Sequence, residues 1–122
     1  MAIEYFHVTG STGPVQVNRG TIGATAAGRN VVVPGMPGRR IRVLAMWFMP
    51  SVTTVLQIRS GATTVLLPNI TLTINANNAP RQIVMPFNPI GWFEANTGDF
   101  LNFQLTAASL ISGFIDYIYV FP

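Results

Sequence analysis

The chain has 122 residues and a formal net charge of +3, and it is 49% hydrophobic but only 9% charged. That length suits one domain with a single core that needs no metal or disulfide help. A charged fraction well below the roughly 25% of an average globular domain leaves too little to cover a monomer, so burial against other protein is expected.

In chain order, Ile3 to Val8 reads as a short strand or an extended arm, broken by Gly10, Gly13 and Pro14. Val15-Gln16-Val17 alternates briefly and stops at Asn18-Arg19-Gly20. Residues 1–20 are therefore expected as an N-terminal arm or edge strand, and residues 21–122 as a β-sandwich domain. Thr21 to Ala27 is small and β-tolerant, and Val31-Val32-Val33 ends at Pro34-Gly35. Arg39 to Met49 is the strongest strand, with Ile41, Val43, Ala45, Trp47 and Met49 on one face. Its other face carries Arg42, Leu44, Met46 and Phe48, so both sides are expected to be covered, the second by a loop or another subunit. Thr53 to Arg59 pairs with Thr63 to Leu67 through a short Gly61 turn. Pro68-Asn69 then separates a further run, Ile70 to Ile74. Asn75 to Pro80 is a polar loop, and Gln82 to Met85 a strand ending at Pro86.

The stretch 85–105 follows. Pro86, Pro89 and Gly91 exclude a helix, and Trp92 and Phe93 are expected to anchor a crossing between sheets. Asn96 to Asp99 is a turn that sets the register of Leu101, Phe103 and Leu105. A last apolar strand runs from Phe114 to Phe121. About 8–9 short strands without a persuasive helix predict an all-β, antiparallel, jelly-roll-like sandwich.

Chemistry is sparse. The absence of Cys excludes thiolate metal sites and disulfides. A single His, His7, excludes a His-based zinc site within one chain. Glu94 and Asp99 flank one turn, but a turn-bonding Asp99 and a solvated Glu94 explain them without catalysis or calcium. No catalytic residue, metal or cofactor is expected, and the chain does not read as an enzyme. All seven cations are Arg, the cation favoured at interfaces. Only Arg39, Arg40 and Arg42 cluster, too few for a phosphate-binding surface, so a nucleic-acid partner is not expected. No apolar run approaches the roughly 20 residues of a membrane span, and residues 1–10 lack signal-peptide character. Asp116 sits among Phe114, Ile118 and Val120 and needs a partner, with Arg42 and Arg59 as candidates.

The segments PGRRIRVLAMWF, RSGATTVL, MPFNPIGWFEANTGDFLNFQL and SGFIDYIYVF together resemble small virion proteins of tailed bacteriophages, of the head decoration or cement type. The matching motifs are a PG-(K/R)-(K/R)-I strand at 37–43, NP-x-GWFE-x-x-x-GD-x-L at 88–101 and G-x-I-x-Y at 113–117. The resemblance implies a β-sandwich subunit, made in the host cytoplasm, that trimerises and clamps the major capsid protein on the outside of a phage head. Arg39, Arg40, Arg42, Phe48, Arg59 and Asp116 are the expected capsid or subunit contacts. A carbohydrate- or receptor-binding module and a tail or neck subunit are the alternatives.

Overall fold

A computed structural model describes residues 4–7, 14–74 and 81–122, the first four and residues 14 and 15 by backbone alone. Among these residues there are ten strands and no helix: β1 (Glu4–His7), β2 (Pro14–Ala24), β3 (Gly28–Val33), β4 (Arg40–Met49), β5 (Thr54–Ser60), β6 (Thr64–Leu72), β7 (Ile83–Met85), β8 (Phe93–Glu94), β9 (Leu101–Leu105) and β10 (Ile111–Val120). All pair antiparallel. One sheet runs β1-β2-β10-β4-β7, with β8 also on β4, and the other runs β3-β9-β5-β6. The chain changes sheet after β2, β3, β4, β6, β8 and β9. This is the eight-strand jelly-roll order, with β7 and β8 sharing one position and β1 added outside β2.

The core lies between the sheets. Ile22, Ile41, Val43, Met46, Phe48, Ile111 and Ile115 come from the six-stranded sheet, and Val33, Leu56, Ile58, Leu72, Leu101, Phe103 and Leu105 from the other. Phe48 and Phe103 meet edge-on across the gap, ring centroids 5.2 Å apart. On β5 and β9 the inward set follows the period of two that the sequence suggests.

On β4 it does not. Ile41 and Val43 face the core, and so do Met46 and Phe48. The phase changes because Asp116 opposes Ala45 while Tyr117 opposes Val43, leaving Leu44 without a partner on β10. One extra residue in a strand reverses every side chain beyond it. Leu44 turns outward and joins Val17 and Ile118 in a small second cluster. Phe48, expected at an interface, is therefore a core residue with no exposed surface. The apolar face expected from Ala45, Trp47 and Met49 points away from the core.

Two further expectations change. β2 is continuous from Pro14 to Ala24, so the division placed after Gly20 falls inside a strand. Asn18 to Gly20 do not end it because β10 pairs with them throughout: Asp116 opposes Arg19 and Ile115 opposes Gly20. β6 likewise runs through Pro68-Asn69 as a single strand. Leu56 opposes Ile70 and Ile58 opposes Leu67, so Pro68 and Asn69 form a bulge on an edge strand, where proline costs no ladder bond. The turn expected around Gly10 to Gly13 and the loop 75–80 lie outside the described residues.

Candidate functional site

The segment 85–105 builds the margin of β4. Asn88 N–H donates to Leu44 O at 2.8 Å and Trp92 N–H to Val43 O at 2.9 Å, so the connection between β7 and β8 saturates the carbonyls beside the bulge. Asn88 Oδ1 accepts from Ile90 N–H, and Gly91 N–H donates back to Asn88 O. Gly91 has φ +93°, and a Cβ there would lie 2.6 Å from Arg42 Cγ; only glycine satisfies both conditions. Phe93 packs against the core, as expected of an anchor. Trp92 does not: it faces outward, 43% exposed, with Nε1 donating to Pro86 O.

Glu94 is paired rather than solvated. It sits opposite Arg42 in the β4–β8 ladder and accepts from Arg42 Nε at 2.8 Å, with Arg40 Nε 3.5 Å from its other oxygen. Arg40 also donates to Ala95 O. These two expected contact residues thus hold β8 to β4. Arg39 extends over the exposed Phe121 ring, Cζ 3.7 Å from its centroid. Arg59 donates to Gln57 Oε1 and Ala62 O on the other sheet. The expected site residues therefore do not gather at one place.

Asp99 accepts from Ser60 Oγ at 2.8 Å, and the same hydroxyl oxygen accepts from Asn96 N–H at 2.7 Å. This ties the 96–99 turn to β5, and Asp99 N–H closes the turn on Asn96 O. Glu94 and Asp99 are thus bound to different strands. Among the described residues no three His, Asp or Glu side chains gather as a metal site.

Asp116 lies on the outward face of β10. Its partner is Arg19, not Arg42 or Arg59: Nε donates to Oδ1 at 2.7 Å and Nη2 to Oδ2 at 2.9 Å. The guanidinium also lies 4.3 Å from the centroid of the Phe114 ring. The two residues are 97 apart in sequence, and Arg19 stands in a weakly patterned run, so only the β2–β10 register reveals the pair.

Around that pair the outward face is apolar. Phe114 and Trp47 are cross-strand partners with ring centroids 6.2 Å apart, and Val84, 62% exposed, is Trp47's partner on β7. Trp47 Nε1 donates to Gln82 Oε1. Phe87, Ile90 and Trp92 continue exposed apolar surface along the adjoining connection.

At the far end of β10, Tyr119 donates from its hydroxyl to Pro34 O at 2.7 Å and meets Tyr117 edge-on. Burial, and then the neighbouring Tyr117, push the Tyr119 phenol above its ordinary value.

Compared with family models, characterised proteins and solved structures, the chain matches none.

Proposed function

We propose that this chain is a structural virion protein, a decoration or cement subunit that binds the outside of a tailed-phage head as a homotrimer and stabilises the shell. The observation that carries the assembly half is the outward face of the six-stranded sheet. Trp47, Phe114 and Val84 lie side by side there, with Phe87, Ile90 and Trp92 near the same margin. A chain with 9% charged residues gains by covering such a face with another copy. The Arg19–Asp116 pair beside these rings is bidentate and cancels itself, so covering that part of the face strands no charge, while Arg40 and Arg42 are paired with Glu94 farther along it.

The virion half rests on the resemblance of segments 37–43, 88–101 and 113–117. The hydrogen bonds of 88–101 support that use of the motif, since its Asn, Gly, Glu and Asp positions all serve the fold. Such a segment would persist in proteins that share this scaffold without sharing chemistry. A decoration subunit needs no active centre. It acts by binding the assembled state and not the dissociated one, and several copies add weak contacts through effective concentration. Capsid protein and further copies of itself are then the partners, with no role for nucleic acid, membrane or cofactor.

Light scattering tests assembly and electron microscopy of labelled protein on phage particles tests placement. The native chain should have an oligomer's mass, and Val84→Asp, which alters an exposed side chain, should reduce it to a monomer. A monomeric native chain refutes the assembly reading. Label on the tail or neck refutes the decoration reading, and a specific response on a glycan array would favour a sugar-binding module instead.

A further inference from the structure

The outward face of the four-stranded sheet carries charge that no carboxylate among the described residues cancels. Directly opposed residues share a face, and the register sets out two rows, Arg29–Gln104–Gln57 and Val31–Asn102–Arg59. Asn69 on β6 extends the first row by accepting from Gln57 Nε2 at 2.7 Å.

Among the described residues, neither arginine meets a carboxylate. The ion pairs among the described residues are Arg19 with Asp116, and Arg40 and Arg42 with Glu94. Asp99 is bonded to Ser60 Oγ, and Glu4 belongs to β1 at the edge of the other sheet. Neutral groups hold the two guanidiniums instead. Arg59 Nε and Nη2 donate to Gln57 Oε1 at 2.9 and 2.7 Å, and Nη1 donates to Ala62 O. The Arg29 guanidinium lies 5.3 Å from the centroid of the Phe100 ring. These contacts fix position without reducing charge, so little side-chain freedom remains to be lost on binding.

Covering such a face with neutral or cationic protein would strand two guanidiniums away from water. Carboxylates remove that penalty and match the planar fork. A phosphodiester backbone would need a longer track of cations than two guanidiniums separated by amides. We infer that this face docks an acid-bearing protein surface, with Arg29 and Arg59 each taking a carboxylate and the Gln57, Asn69 and Gln104 amides meeting polar atoms between them. The inference rests on the decoration reading only for where the partner is found: on a phage head the acidic surface would belong to the capsid protein.

The test titrates the full chain with poly-L-glutamate and, separately, with a single-stranded oligonucleotide of matched charge, at low salt. Arg29→Gln and Arg59→Gln should each weaken poly-L-glutamate binding about tenfold, the loss expected for one charge-assisted hydrogen-bonded contact. Arg39→Gln removes the same charge from the β3–β4 loop and should change it by no more than about twofold. Arg59→Lys keeps the charge without the fork and should fall between, with circular dichroism reporting that each variant folds. Equal losses in all three Arg→Gln variants, or tighter binding to the oligonucleotide, overturn the inference. Phage heads that fail to bind a chain with the expected poly-L-glutamate selectivity count against the decoration role alone.

Discussion

Removing Arg19 should destabilise the chain more than neutralising Asp116, although the two share one ion pair. The Asp116 side chain is 12% exposed and the Arg19 side chain 53% exposed. In Arg19→Met an apolar stem beside Phe114 is kept, but the carboxylate loses both donors among Phe114, Ile118 and Val120 with little of its surface in water. A nearly buried carboxylate left unpaired costs ~2–4 kcal/mol. In Asp116→Asn the amide oxygen still accepts from Arg19, and the guanidinium is already half in solvent, so the loss should be ~1 kcal/mol, close to that of an exposed pair. Urea denaturation with unchanged m-values measures both, and repeating it at two protein concentrations separates folding from self-association. The double variant should recover part of the Arg19→Met loss, because no charge is then stranded. An Asp116→Asn loss equal to or larger than that of Arg19→Met would refute the asymmetry and the burial argument behind it.

Gly113 lies opposite Phe48, and a Cβ there would run into Trp47 O and the Phe48 backbone. Gly113→Ala should therefore cost ~3 kcal/mol or prevent folding, seen as a lower denaturation midpoint. Phe48→Ala should remove ~3–5 kcal/mol of stability, as a core aromatic does, and an unchanged midpoint would return Phe48 to the surface. Tyr119 has a raised phenol value, so the fold favours its protonated form. That contribution is fully present below the unfolded value of about 10 and is lost as pH rises through the folded one. Thermal melts of the native chain should fall more steeply above pH ~10 than those of Tyr119→Phe. Glu94→Gln leaves Arg42, whose side chain is 15% exposed, with a neutral partner. A loss of ~1–2 kcal/mol with β8 released from β4 is expected, measurable as faster amide exchange at Phe93 and Glu94.

Much of this fold was legible because strand signals are local. A period of two places Leu56 and Ile58, or Leu101, Phe103 and Leu105, on one side whatever they later meet, and Pro or Gly marks where the chain turns. Composition also sets a narrower limit: a chain without Cys and with one His cannot by itself build a thiolate site or a His-based zinc site. The site was less so. Arg40, Arg42 and Arg59 look alike in sequence as free cations. Which of them is neutralised depends on Glu94 landing opposite Arg42 and on no acid landing opposite Arg59.

The residues alone determine an all-β chain, most of its strand positions, the Asp116 face among apolar neighbours, and a low content of charge. Tertiary structure decides three things that local pattern cannot. The unpaired Leu44 reverses the faces of β4 and sends Phe48 inward. β10 pairs with Asn18 to Gly20 and makes one strand of what reads as two. Arg19 reaches Asp116 across 97 positions. All three share one physical reason. Register between strands distant in sequence is set by how two sheets close over a common core, and a shift of one residue changes which side chains face water.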